Sequence, residues 1–368
     1  MTNTNVSLTS DKRLLSLDFF RGFTMLLLIG EFTELFTSFI DPAFEGSFIY
    51  FIGMQLHHVH WEGLHFWDLI QPFFTFIVGV SMPFSFKKRI DRGDNYKLLR
   101  KHALTRSLLL LLLGWALYCG PDKITFYFQN VLAQLSVSYF ITFLLIRQKT
   151  SVQLIASFAL IIVTEIIFRT FGVEGFNHPF TPNENFGTWL DLQYGGADLS
   201  NNWVSFNAIP TTAHTIWGAM AGFLLMSDKP VMKKAKILAL AGLAGIVAGY
   251  GLGFITPIIK HIATSSFVIV SGGWSLLALA FSYWLIDIKK NRKWVFIFTV
   301  VGMNPLFIYL FAHIGGTEFL LSPLSPFIQT FFGWTGEFAY SIIQNSIIWF
   351  LLWYICYWMY KQKIFIRI

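Results

Sequence analysis

Charge is scarce in this chain. Aspartate, glutamate, lysine and arginine make up 13% of its 368 residues, where a soluble domain carries about 25%, and the mean hydropathy is +0.57. A surface facing water on all sides is not built from that composition, so a soluble globular class is excluded. Cysteine is nearly absent as well. Cys119 and Cys356 both lie in apolar runs, which excludes a disulfide framework and a cysteine-based metal site. The polar N-terminus MTNTNVSLTSDKR has no A-x-A-like cleavage site, so the first apolar span is expected to stay as an anchor. No Gly-rich phosphate loop and no inserted aqueous domain can be found. The net charge of +7 comes from short basic clusters between apolar segments, which is how cytoplasmic loops look, and nucleic acid is not an expected partner.

Apolar length is what the chain has in abundance, with 55% hydrophobic and 18% aromatic residues. A helical span needs about 20 apolar residues, and about ten such segments can be drawn. They cover 19–40, 66–86, 104–119, 126–146, 152–171, 209–226, 237–258, 265–286, 294–313 and 338–360, of which 104–119 is short enough to tilt or to lie partly in the interface. The expected fold is all-α, a polytopic membrane protein with about ten transmembrane helices. It forms one domain over 1–368, with a cytoplasmic tail at 1–15 and an extracytoplasmic loop at 172–206. On this topology 24 of the 27 Lys and Arg fall on one side, leaving Lys123, Arg169 and Lys260 on the other. The positive-inside rule then makes both termini cytoplasmic. The 172–206 loop carries Glu174, Glu184, Asp191 and Asp198 and no Lys or Arg. A negative loop suits a cationic ligand, although the topology rule alone also leaves outer loops short of positive charge.

Chemistry and membrane meet at 57–86, HHVHWEGLHFWDLIQPFFTFIVGVSMPFSF, where a histidine-rich loop passes into an apolar helix. Ionisable groups at the mouth of a spanning helix are costly unless they face a wet cavity or a partner. A helix starting near Leu64 places Asp68 one turn inside the membrane, where an unpaired carboxylate costs several kcal/mol. Asp68 is expected to orient an imidazole or hold a substrate amine; a packing hydrogen bond between helices is the plainer alternative. His57, His58, His60 and His65 have no HExxH-type spacing and no supporting cysteine, so no metal is expected there. Glu31, in LLLIGEFTELF, is a second carboxylate near the outer end of its span. Asn304 precedes Pro305 inside a predicted span, where the missing backbone donor breaks the helix. Broken helices in membranes tend to line cavities, and a simple proline kink accounts for the pair equally well. His214 and His313, on apolar segments, read as core histidines.

Six stretches, LLSLDFFRGFTMLLLIG, HVHWEGLHFWDLIQPFFTFIVGVSMPFS, VLAQLSVSYF, AIPTTAHTIWGAMAG, TPIIKHIATSSFVIVSGGWSLL and VGMNPLFIYL, occur in this order. Together they resemble the heparan-alpha-glucosaminide N-acetyltransferase family and its bacterial members over nearly the whole chain. The resemblance implies transfer of acetyl from cytosolic acetyl-CoA to the amine of a terminal glucosamine across the membrane, here in the inner membrane of a bacterium. The family's catalytic H-x-x-W-x-G-L pattern with a following Asp falls on His58, Trp61, Gly63, Leu64 and Asp68. Glu62 stands where the family often has Asn, and the mammalian enzyme's large luminal N-terminal domain has no counterpart. Both departures bear on the acceptor.

An ammonium must lose a proton before its nitrogen attacks a thioester. Imidazole takes that proton near neutral pH, which makes His58 a general base. Alternatively, His58 attacks acetyl-CoA itself and relays the acetyl group as an acetyl-imidazole. Asp68 is the second catalytic candidate, and Trp61, Glu62, Glu31 and Asn304 are the acceptor-binding candidates. Acetyl-CoA as co-substrate needs cations for its phosphates. Arg13, Arg21, Lys87, Lys88 and Arg89 flank the site-bearing helices, although topology alone also explains them. The expected partners are the lipid bilayer, acetyl-CoA and an amino-sugar or glycan acceptor, with a homodimer left open. An amino-sugar permease is the alternative function, but carriers commonly show an internal repeat, and no second copy of the HxxWxG or FFRG patterns occurs.

Overall fold

In the computed structural model, residues 14–120 and 123–366 are described; Arg13, one of the expected phosphate ligands, lies outside them. The helices in chain order are α1 (Leu15–Glu31), α2 (Phe48–Gln55), α3 (Ile70–Asp91), α4 (Tyr96–Ala116), α5 (Val131–Leu145), α6 (Thr150–Thr170) and α7 (Phe186–Gln193). They continue with α8 (Ala208–Met226), α9 (Val231–Leu252), α10 (Ser265–Ser282), α11 (Val295–Gly302), α12 (Pro305–Phe311), α13 (Thr317–Phe332) and α14 (Glu337–Lys361). A 3-10 turn, Phe66–Leu69, leads into α3, and α10 runs on as a π-helical turn, Tyr283–Ile288. No strand occurs among the described residues. Asparagine side chains start several helices by accepting the first free backbone N–H groups, as Asn95 does from Leu98 and Asn130 from Leu132 and Ala133.

Among the described residues six stretches are long and apolar enough to cross a membrane: Phe66–Asp91, Thr150–Thr170, Val231–Leu252, Ser265–Ile288, Pro305–Thr335 and Glu337–Lys361. A multi-pass membrane protein fits this content. The expected segments differ from the helices in several places. α1 stops at Glu31, well short of residue 40, because both the hydroxyl and the N–H of Thr33 turn back onto the Gly30 carbonyl and Glu34 takes a positive φ of 58°. The segment 294–313 is two helices, since Asn304 has φ −126° and ψ 48° and Pro305 starts α12. The following connection is itself helical: α13 holds Pro323 and Pro326.

Close helix crossings are made by glycine. A Cβ at Gly79 would lie 2.1 Å from the Thr215 carbonyl oxygen, and one at Gly218 would lie 2.1 Å from that of Phe76. The α3 and α8 backbones therefore touch, which is how helices associate where lipid supplies no hydrophobic drive. Around this crossing Phe20, Phe73, Phe76, Ile77, Val80 and Leu279 form a buried apolar core. Gly218→Ala is expected to cost about 1–3 kcal/mol by overpacking, measured as a lowered Tm in detergent; an unchanged Tm would mean that the crossing relaxes freely. The faces turned away from the core carry exposed Ile155, Ile162, Leu240 and Val247, as lipid contact requires.

Candidate functional site

The loop between α2 and the 3-10 turn is folded by its own polar groups. Asp68 Oδ2 accepts from the backbone N–H of His65 at 2.9 Å and of Val59 at 3.4 Å, so the carboxylate draws the loop back over the start of α3. His57 Nδ1 bonds the Gly53 carbonyl at 2.7 Å and His65 Nδ1 the His57 carbonyl at 3.0 Å. Two of the four histidines are thus engaged with backbone. His58 is aimed differently: its Nδ1–H donates to Asp68 Oδ1 at 2.9 Å, and its side chain is 39% exposed, into a cavity.

A second loop, between α9 and α10, closes against the first. The Gly63 N–H donates to the Ile258 carbonyl at 2.8 Å, and Glu62 pairs with Ile259 in an isolated antiparallel bridge. Gly63 has φ 130°, a conformation that favours glycine. This pairing sets Lys260, 5% exposed, beside the pair: its Nζ is 2.9 Å from His58 Nδ1 and 3.5 Å from Asp68 Oδ1. Glu31 completes the cluster from the end of α1. Its Oε1 accepts from Trp67 Nε1 at 2.8 Å and stands 3.9 Å from His58 Nε2. Withdrawal from bulk water lowers the His58 pKa below the ordinary imidazole value, and the Lys260 charge adds to this against the opposing hydrogen bond that His58 donates to Asp68. Burial lowers the Lys260 pKa too, opposed by Asp68 and Glu31. Burial, then the charges of Lys260 and His58, bring His261 down to about 4.

The cavity into which His58 opens has a volume of about 670 Å³. Glu31, Lys260 and Trp203 wall one end, and Arg21, Ser81 and Arg106 wall the other. Glu31 and Arg21 are ten residues apart on α1, about 15 Å along a helix axis, and Gln71 and Ser81 are equally spaced on α3. The space therefore runs lengthwise along the helices. At the far end Arg21 donates to the Ser81 hydroxyl at 2.7 Å, and the Arg106 guanidinium lies 4.6 Å from the Tyr139 ring centre. Arg106 Nε is buried without a hydrogen-bond partner among the described residues. Gln71 donates to Gln134, Gln134 to Asn207, and Asn207 to the His261 carbonyl, a buried amide chain that ties the cavity wall to the Lys260 loop.

Not every candidate gathers here. The Trp61 indole donates to the Phe180 carbonyl at 2.7 Å and stacks on His261, bracing the site from behind, and Glu62 is exposed outside the cavity. Asn304 is buried away from His58. Its amide binds the backbone of Ile364 and Ile366, the two bonds at 2.9 Å each, while only its neighbours Met303 and Pro305 line the cavity. Lys87 and Lys88 are exposed and line neither this cavity nor the smaller one of about 150 Å³ that Arg89 shares with Arg106. His313, expected in the core, lines the cavity, whereas His214 is buried between the Val268 carbonyl and the Ser271 hydroxyl. Among the described residues no group of three or more His, Cys, Asp or Glu is arranged to hold a metal ion. Sequence reasoning passed over Lys260, Trp203 and Arg106. The one available signal was that Lys260 is a lone cation in a stretch otherwise without charge, TPIIKHIATSS.

No protein-family model matches the chain. Over 138 residues, 35% of the chain, it is 35% identical to heparan-alpha-glucosaminide N-acetyltransferase of Homo sapiens. Over 142 residues, 36% of the chain, it is 34% identical to the protein of the same name from Mus musculus. Over these residues the chain is similar to that acetyltransferase. The matched stretch spans 18% of the human protein and 19% of the mouse protein.

Proposed function

We propose that this chain is a membrane-embedded acetyltransferase. It moves an acetyl group from acetyl-CoA, entering from the cytoplasmic face, to the amine of a glucosamine-type sugar on the other face. The observation that carries this reading is the lengthwise cavity with arginines at one end and the His58, Asp68 and Glu31 cluster at the other. The asymmetric distribution of Lys and Arg assigns the Arg21 end to the cytoplasm. In this reading Arg21 and Arg106 take the donor's phosphates, which the Nε of Arg106, unpartnered among the described residues, supports. The donor's pantetheine arm then lies along Met25, Leu28 and Val78, with the thioester near His58.

At the His58 end the Glu31 carboxylate attracts the acceptor's ammonium. His58 Nε2 removes one proton, and the freed nitrogen attacks the thioester carbonyl carbon. The attacking nitrogen then loses a second proton to solvent as the amide forms, the carbon–sulfur bond breaks, and the CoA thiolate leaves with the proton returned from His58. In the relay version Nε2 attacks first, giving an acetyl-imidazole that the amine then opens. Both versions need Nε2 unprotonated, which the Nδ1–H bond to Asp68 provides.

Oriented proteoliposomes test this function. With acetyl-CoA on the Arg21 face and glucosamine on the opposite face, N-acetylglucosamine is expected on the glucosamine side, and with the two exchanged no product is expected. Uptake of unmodified glucosamine without acetylation would overturn the reading in favour of an amino-sugar carrier.

A further inference from the structure

Lys260 sits where a lysine is expensive, 5% exposed on the turn between α9 and α10. Its Nζ is 2.9 Å from His58 Nδ1 and 3.5 Å from His58 Nε2. The two imidazole nitrogens point to opposite sides of the ring, so a donor lying in the ring plane outside Nδ1 would be far from Nε2. Closeness to both puts the ammonium over the ring face. The in-plane direction at Nδ1 is left to Asp68 Oδ1 at 2.9 Å, which Lys260 also approaches, at 3.5 Å. The Trp203 ring lies against the same cation, its centre 5.3 Å from Nζ.

We propose that Lys260 is a positioning residue for His58: lying over the ring face and beside Asp68, it disfavours imidazolium and holds the tautomer whose Nε2 lone pair opens into the cavity. This rests on the acetyltransferase reading and deepens it. A cation over an aromatic face is attracted to the neutral ring, and it repels the same ring once protonated. Lys260 also balances Asp68, so that within this cluster the Glu31 carboxylate is the net charge facing an incoming ammonium. The titratable groups facing His58 come from every neighbouring element. Glu31 ends α1, Asp68 precedes α3, and Lys260 and His261 belong to the α9–α10 turn. Asp198, Tyr118 and His313 share the cavity, and His57, His60 and His65 share the loop. Removing the Lys260 charge leaves two carboxylates, Asp68 and Glu31, against His58 with no cation to offset them, so its proton affinity rises and its base form is lost at a higher pH.

Diethylpyrocarbonate acylates neutral imidazole and spares imidazolium. The pH dependence of His58 modification, read by mass spectrometry of its peptide, therefore reports its protonation without any turnover. In Lys260→Met and Lys260→Gln the midpoint is expected to move up by about one pH unit, and the acid limb of kcat/KM to move with it. Lys260→Arg keeps the charge and is expected to hold both near wild type. If the Met variant does not fold, the Gln variant, whose amide still donates to Asp68, carries the test. An unshifted His58 midpoint in a folded neutral variant overturns the proposal, and a slower enzyme with an unshifted acid limb marks Lys260 as merely structural. A wild-type protein that never acetylates glucosamine defeats the acetyltransferase reading alone, because the modification midpoint still judges Lys260.

Discussion

Replacing His58 with alanine is expected to lower acetyl transfer by about 10²–10⁴ as the loss of a general base, and by more if the histidine carries the acetyl group. The protein should stay folded, because the His58 ring opens to the cavity and the loop is held by other bonds. Asp68 keeps the backbone N–H groups of His65 and Val59, and Gly63 keeps the Ile258 carbonyl. His57→Ala and His65→Ala remove side chains that brace loop carbonyls. Their effect on rate reaches the chemistry only through loop position and should be much smaller, as should that of the exposed His60. The wild-type acid limb adds a second check. His58 loses function when it becomes imidazolium, and its pKa lies below the ordinary value, so kcat/KM should hold through pH 6.5 and fall only below it. Single-turnover rates for the four alanine variants, with Tm as the control for folding, decide the matter. Near wild-type transfer by His58→Ala would refute the assignment, and loss confined to His57→Ala would move the chemistry to the neighbouring ring.

The pairing of His58 with Asp68 was legible because it is local. Asp68 lies in the 3-10 turn that leads into α3 and not one turn inside a helix begun at Leu64, but a buried carboxylate at the mouth of an apolar helix still needs a partner, and a histidine ten residues earlier, on a loop that must turn back, supplies it. Lys260 was not legible by that route. It stands 202 positions from His58 and arrives through backbone pairing of Gly63 and Glu62 with Ile258 and Ile259, which leaves no pattern in side-chain chemistry. Asn304 had two readings in the sequence, a cavity-lining break and a simple kink. The helix break was readable from the proline that follows, but breaks also serve packing, and this amide is spent on the backbone at 364–366.

The same physics explains which spans were easy to find. α6 and α9 carry exposed apolar residues along their length and read clearly as hydrophobic runs. α8 is enclosed by its neighbours and buries Thr211, Thr212, His214 and Thr215. α5, at 15 residues, buries Gln134, Ser136 and Ser138. Inside a bundle polar side chains can bond to backbone or to one another, as the Thr211 and Thr212 hydroxyls do to carbonyls one turn back. Hydropathy therefore finds lipid-facing helices such as α6 and α9 readily and is weaker for the enclosed α8 and the short α5.

Asp68→Asn should be nearly as damaging as loss of His58, for a reason set by the backbone around it. An asparagine here keeps one acceptor oxygen and gains an amide donor group. The side facing His65 and Val59 meets two N–H donors, so the amide oxygen must turn that way. The NH₂ then faces His58 Nδ1 and needs a lone pair there, which drives the imidazole proton to Nε2. That nitrogen is the one facing Glu31 and the cavity, and once protonated it neither accepts a proton nor attacks a thioester. In a serine-protease triad the same carboxylate-to-amide exchange costs about 10⁴ through the wrong tautomer, and about 10²–10⁴ is expected for acetyl transfer here. Raising the pH should not rescue the variant, because the fault is where the proton sits on a neutral ring; a base lost only to protonation would recover. Tm should fall modestly, since the backbone bonds persist while Lys260 loses its anionic partner. Asp68→Asn with near wild-type kcat/KM, or with activity restored at high pH, would show that Asp68 acts as a packing group and leaves the His58 tautomer to other contacts.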